Sequence, residues 1–183
     1  MSIFNNTGWS YDTGSGIAGT VSAEGYEITA GEARIHVNAP DGSRYRIIGS
    51  GLGLGFGLSN LPANLSGSDA DMLSAGTSIY GFNSPSLEIE DFSSFMVLYS
   101  LNGTYQMSGI SGSLAFFVHP TAWEKVKLAA MATSPLGLVG VIAELTSSFK
   151  AVCSFAGMQV STPIVGADFT GTAYWITSTN LIQ

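Results

Sequence analysis

The stretch Gly49-Ser50-Gly51-Leu52-Gly53-Leu54-Gly55-Phe56-Gly57-Leu58 decides the fold class, because glycine alternates with Ser, Leu or Phe throughout. As the interior of a helix, its five glycines would cost on the order of 4–5 kcal/mol relative to alanine. A strand instead places all the glycines on one face and the bulky residues on the other. Three interpretations of the bare face are open: tight packing within a sheet or barrel, a membrane-facing or self-associating surface, and a ligand groove.

The residues before this stretch are also typical of strands. Residues 16–29 and 32–39 are rich in Ile, Val, Thr and Tyr. The sequence Pro40-Asp41-Gly42-Ser43 then supplies turn-forming residues before Arg44-Tyr45-Arg46-Ile47-Ile48, so a hairpin is expected here.

The rest of the chain predicts further strands and loops. Residues 59–85 read as a long loop that contains a short strand at 77–80. Asn102-Gly103 lies between apolar β-forming runs, which is the pattern of a hairpin turn. The other predicted strands are 86–90, 95–101, 104–108, 110–118 and parts of 151–178.

One segment predicts helix. Thr121-Ala122-Trp123-Glu124 matches a capping box, and helix-forming residues follow up to 133. Pro135 is suited to open a second helix that Lys150 would close, although helix or strand is left open for 135–150. The apolar stretch 128–143 is broken by Thr133-Ser134-Pro135, and it is shorter than the roughly 20 residues of a spanning helix.

Together these patterns predict a mainly β fold, a β-sandwich or barrel with largely antiparallel strands, and one helical hairpin near residues 121–149. A chain of 183 residues can bury a core of its own. Because no linker or repeat divides the sequence, residues 1–183 are expected to form a single domain.

Charge excludes several partners. Charged residues make up 10% of the chain, against roughly 25% in a typical soluble domain. The net charge of -7 argues against nucleic acid, whose binding needs clustered Lys and Arg. It also argues against simple electrostatic attachment to anionic lipids. Residues 1–7 lack a basic region and an apolar run, so we expect synthesis in the cytoplasm without a signal peptide.

Residues able to perform catalysis or bind metal are few. His36 is expected at a solvated strand position and His119 at a turn, and the lone Cys153 is expected to be a small buried hydrophobe. Gly14-Ser15-Gly16-Ile17-Ala18-Gly19 matches a dinucleotide-binding spacing, but β-forming residues follow it. We therefore expect no enzyme, no metal and no cofactor.

Several carboxylates are candidates for glycoside cleavage or calcium binding. Two groups lie close in sequence, and each is also explained by a solvated strand edge or a polar loop. A single carboxylate in the predicted helical segment could face solvent, a cavity or a pore. These residues are Glu88, Glu90 and Asp91, then Asp69 and Asp71, and finally Glu144.

Few charges, abundant glycine and apolar segments too short to span favour a membrane-active protein. In its size, its missing signal and its glycine-rich apolar stretches at 49–57 and 136–141, the chain resembles small effectors of bacterial type VI secretion. This resemblance implies a toxin that permeabilises a target-cell membrane by forming an ion-conducting pore. It further implies export by a specialised secretion system, a secretion-tube protein as carrier and a cognate immunity protein.

The expected site is a membrane-interacting surface, and a homo-oligomer in the membrane is left open. We expect the segments around 49–58, 93–118 and 128–145 to meet lipid. The alternative is a soluble β-sandwich module that has a binding or structural role and performs no catalysis. The candidate membrane-interacting residues are Gly49, Gly51, Gly53, Gly55, Gly57, Leu52, Leu54, Phe56, Gly137 and Gly140.

Overall fold

The computed structural model describes residues 4–23, 26–57, 65–72, 77–105, 108–119, 148–160 and 166–182. Within these ranges nearly every residue is in a strand, and a 3-10 helix spans Ile89–Phe92. The strands are β1 (Phe4–Ala23), β2 (Tyr26–Asn38), β3 (Arg44–Gly57), β4 (Leu65–Met72), β5 (Thr77–Phe82), β6 (Phe95–Tyr105), β7 (Ser108–Val118), β8 (Phe149–Val160) and β9 (Gly166–Leu181).

Eight of the strands close into an antiparallel barrel. Neighbouring strands follow the order β2-β3-β9-β6-β7-β8-β5-β1, and the pairing of β1 with β2 completes the ring. The long strand β1 pairs with β5 over Phe4–Tyr11 and with β4 over Gly14–Val21. The predicted mainly β, antiparallel architecture is confirmed, and of the two predicted forms the structure is a barrel.

The predicted hairpin around Pro40 is confirmed and connects β2 to β3. The amide of Gly42 donates to the carbonyl of Ala39 at 3.0 Å, and the amide of Ser43 donates to Oδ1 of Asp41 at 2.9 Å. Gly42 has a φ of 88°, which glycine adopts without strain. The turn residues therefore act through the mechanism that the sequence indicated.

Aromatic side chains fill the barrel interior at the end where the 3-10 helix lies. Nε1 of Trp9 donates to the carbonyl oxygen of Leu87 at 2.9 Å. The ring of Phe92 lies 5.0 Å from that of Trp9 and 4.8 Å from that of Phe117. The segment from Leu87 to Phe92 therefore closes this end of the interior.

Replacing Phe92 with alanine is expected to lower the free energy of unfolding by roughly 3–5 kcal/mol, because its buried ring would leave a cavity. Urea denaturation followed by circular dichroism measures the change. The matched control is Leu181→Ala, because Leu181 is 61% exposed and its loss should change stability by only about 0.5 kcal/mol. Equal effects of the two substitutions would show that Phe92 does not hold the core together.

Strand β6 is buried on both faces. Met96 and Leu98 face the interior cluster, whereas Phe95 and Val97 belong to a second cluster outside the barrel wall. Phe116 of the neighbouring β7 joins this second cluster. The outward face of β6 and β7 is therefore covered over part of its length, unlike the outward face of β2 and β3 described below.

The predicted helical hairpin at 121–149 falls mostly on residues 120–147, which lie outside the described residues. Its described end is wrong: Phe149 and Lys150 begin β8. Phe149 pairs with Val118 and packs against Phe82 and Phe116. Strand pairing and aromatic packing therefore override the local helix pattern at this end.

The predicted turn at Asn102-Gly103 and the predicted strand at 86–90 are also wrong. Asn102-Gly103 lies inside β6, where Asn102 pairs with Ser111 on one side and Asp168 on the other. Pairing on both edges keeps the strand straight through a sequence that alone favours a turn. Residues 86–88 form a loop, and residues 89–90 begin the 3-10 helix, because Asp91 accepts a hydrogen bond from the amide of Glu88 and bends the chain.

The remaining differences concern strand boundaries. The predicted run 16–29 is split between β1, which ends at Ala23, and β2, which begins at Tyr26. Strand β4 lies within the predicted loop 59–85 and is placed by its pairing with β1. Such pairings join residues distant in sequence, which local patterns do not record.

Candidate functional site

Gly49, Gly51 and Gly53 of β3 face the interior of the barrel, where side chains of β9 lie over them. A Cβ atom at Gly51 would touch the carbonyl oxygen of Ala173 and lie 2.6 Å from Cδ1 of Tyr174. A Cβ atom at Gly53 would touch Oγ1 of Thr172. Only glycine permits this approach of neighbouring side chains. The first of the three interpretations, packing within a barrel, therefore describes this part of the glycine face.

The opposite face of β3 points out of the barrel and carries apolar side chains. Leu52 of β3 and Ile28 of the neighbouring strand β2 are each 58% exposed. Ala30, which pairs with Leu52, is also exposed. Trp175 of β9 is 41% exposed, and its ring meets that of Phe95 edge-on at 5.3 Å. We call Ile28, Ala30, Leu52 and Trp175 the apolar band.

The other predicted site residues fall into three groups. Gly49 is buried on the interior face, and a Cβ atom there would lie 3.1 Å from Cδ1 of Ile176. Gly137 and Gly140 lie outside the described residues. The backbone of the remaining four residues continues β3, with the pairs Leu54–Ile28, Gly55–Glu27, Phe56–Tyr26 and Gly57–Asp168.

A group of arginines that sequence reasoning missed lies on the same outward face, further along β2 and β3. Arg34 pairs with Ile48, and Arg46 pairs with His36. Arg44 lies two residues beyond Arg46 on β3. These three are all the arginines of the chain, and we call them the arginine row. A net charge of -7 conceals this clustering, because net charge carries no information about position.

Two members of the arginine row form ion pairs. Nε of Arg34 lies 2.6 Å from Oε1 of Glu32, and Arg44 pairs with Asp12 at the irregular step of β1. Burial, and then the charge of Arg44, lower the pKa of His36 below its usual 6.5, so this imidazole is neutral at pH 7. Arg46 is exposed. The row therefore presents three guanidinium groups against two carboxylates.

The candidate catalytic and cofactor-binding residues described here cap the 3-10 helix or lie within a strand. Asp91 and Glu88 cap the 3-10 helix through reciprocal hydrogen bonds. Residues 14–19, with the dinucleotide-like spacing, lie inside β1 and open no helix. Among the described residues, no three His, Cys, Asp or Glu side chains come close enough together to hold a metal ion.

A cleft of about 330 Å³ lies beside the loop between β5 and β6. Phe82 and Phe149 form an apolar wall, and Nζ of Lys150 lies 3.9 Å from Oδ1 of Asp91. This opposed pair could orient a small polar molecule but offers no activated nucleophile. The other residues that line the cleft are Asn83, Ser84, Ser86 and Leu87.

Cys153 points into the barrel interior and is buried. Burial raises the pKa of its thiol from 9.0 to about 12, because the thiolate is poorly solvated there. A raised pKa in the folded state contributes stability that is present below pH 9 and is lost as the pH rises towards 12. The thiol is therefore expected to be inert at neutral pH.

At pH 8, the reaction of Cys153 with a disulfide reagent is expected to be at least about a hundredfold slower in the folded protein than in the unfolded protein. Absorbance of the released thiolate measures the rate with and without denaturant. A rate in the folded protein close to that of the unfolded protein would mean that the barrel opens at this position.

No described helix is long and apolar enough to cross a membrane. Compared with known proteins, the chain matches no family model, no curated protein sequence and no solved structure.

Proposed function

We propose that this protein inserts the apolar band of its barrel into the membrane of a target cell and permeabilises that membrane to ions. The observation that carries the proposal is the outward exposure of Ile28 and Leu52, each 58%, opposite a glycine-lined inner face. In soluble antiparallel sheets the apolar face packs on the core and the polar face meets water. An apolar outer band is instead the property of barrels that lie in lipid.

Closure of the barrel supports the same proposal. In lipid, every backbone amide and carbonyl must find a partner within the protein, and a closed ring of strands meets this requirement. Strands β2 and β3 have 13 and 14 residues. A strand that crosses a bilayer needs about 9–11.

The filled end of the interior constrains how ions would pass. Small eight-stranded barrels have interiors that side chains fill, and here Trp9 and Phe92 occupy one end. Permeation therefore requires movement of the segment from Leu87 to Phe92, or association of several copies around a shared path. The resemblance to secreted effectors extends the proposal to a secreted toxin that an immunity protein neutralises.

The test is ion conductance across a planar bilayer, together with dye release from liposomes, using the purified protein between pH 5 and 8. The proposal expects discrete conductance steps and release that grows with protein concentration, and heat-denatured protein serves as the control. An absence of both signals over this range would contradict it. The filled interior and the cleft near Lys150 would then favour a soluble binding module.

A further inference from the structure

The arginine row lies further along the outer wall than the apolar band, towards the turn that connects β2 to β3. Arg34 lies six positions along β2 from Ile28, and Arg46 lies six positions along β3 from Leu52. At about 3.3 Å per residue, Arg34 and Arg46 each lie roughly 20 Å along their own strand from that apolar side chain. Trp175 pairs with Ser50, between Leu52 and Arg46.

This sequence of apolar, aromatic and basic levels matches the layers of a bilayer. Trp concentrates at the boundary between hydrocarbon and headgroups. Basic side chains near an anionic leaflet each gain about 1 kcal/mol. A protein with only six Lys and Arg residues nevertheless places all three of its arginines on one face, at three successive outward positions of the β2–β3 ladder. The net charge of -7 does not decide the local interaction, because charges beyond about 10 Å are screened in salt.

The arginine row also retains unused hydrogen-bonding capacity. Nε of Arg44 is buried and has no hydrogen-bond partner among the described residues, although this side chain pairs with Asp12. A buried donor without a partner favours an acceptor oxygen. Arg46 is exposed and lies between His36 and the amide-bearing Asn180.

We propose that Arg34, Arg44 and Arg46 bind the phosphate groups of anionic lipids and so set the orientation in which the barrel meets a bilayer. Guanidinium groups suit this task because they bind phosphate oxygens with two parallel hydrogen bonds. The carboxylates that face the arginine row are Glu32 and Asp12, with Asp41 exposed in the adjoining turn. This inference rests on the proposed function, because it takes the bilayer as the partner.

The test is co-sedimentation and dye release with two kinds of vesicle, phosphatidylcholine alone and phosphatidylcholine mixed with phosphatidylglycerol. The wild-type protein is expected to bind the anionic vesicles more tightly, and 0.5 M NaCl should weaken this preference, because salt at about that level screens surface charges. Arg46→Gln is expected to reduce affinity for anionic vesicles about fivefold, and Arg34→Gln with Arg46→Gln about twentyfold. Lys150→Gln removes the same charge elsewhere and is expected to leave the preference intact.

The outcomes separate this inference from the proposed function. Equal binding and release with both kinds of vesicle, unchanged in the arginine variants, would overturn the inference and leave the proposed function standing. Displacement by inorganic phosphate at millimolar concentration would also overturn it, since the arginine row would then recognise free phosphate rather than a lipid surface. Failure to bind or permeabilise either kind of vesicle would refute both. Circular dichroism confirms that each variant is folded.

Discussion

Replacing Gly51 with valine is expected to destabilise the barrel by roughly 3 kcal/mol or more, or to prevent folding. Overpacking a closed interior usually costs about 1–3 kcal/mol when side chains can move aside. Here the new Cβ atom would touch the carbonyl oxygen of Ala173 and the ring of Tyr174, and the carbonyl oxygen belongs to a backbone fixed by strand pairing on both sides. Chemical denaturation followed by circular dichroism measures the loss.

The matched control is Gly112→Val in β7. A Cβ atom at Gly112 would have no atom within 4 Å, so stability should change by only about 0.5 kcal/mol. If Gly51→Val is as stable as this control, then the β3 glycines are not required by the packing of β9.

The second large effect is expected from Leu52→Glu, which should reduce dye release from liposomes about tenfold. A carboxylate that faces hydrocarbon near the bilayer centre destabilises an inserted barrel by about 1–2 kcal/mol, less than Arg or Lys would, and about 1.4 kcal/mol corresponds to a tenfold change. Because Leu52 is 58% exposed, the same change should leave the fold in water intact. Release is measured at equal protein concentration after circular dichroism has confirmed folding.

Ser86→Glu is the control for this substitution. It adds the same charge to an exposed position in the loop between β5 and β6. We expect it to leave release unchanged. Loss of release in both variants would indicate a general effect of charge, and loss in neither would argue that Leu52 does not meet lipid.

The sequence patterns that predicted the structure correctly are those whose stabilising interactions lie within a few neighbouring residues. The alternation from Gly49 to Gly57 excludes a helix interior and favours a strand, which β3 is. The turn at Pro40-Asp41-Gly42-Ser43 carries its own hydrogen bonds. Asn102-Gly103 has equally favourable turn chemistry, but pairing on both edges of β6 outweighs it.

The candidate site depended on information that the sequence holds only indirectly. Alternation showed that Leu52 and the glycines occupy opposite faces, but which face points inward follows from closure of the ring through β1 and β2. The arginine row arises because the register brings Arg34 and Arg46 to neighbouring rows of one face. A count of charges over the whole chain hides this arrangement.

A fluorescent probe at position 52 shows whether the apolar band enters the bilayer. In a Cys153→Ala background, Leu52→Cys carries an environment-sensitive fluorophore, and Asp41→Cys, in the exposed turn beyond the arginine row, carries the same fluorophore as control. On addition of vesicles, insertion of the apolar band should produce a blue shift and quenching by chain-labelled lipids at position 52 but not at position 41. Fluorescence at position 52 that stays characteristic of water, in a sample whose vesicles are permeabilised, would contradict it.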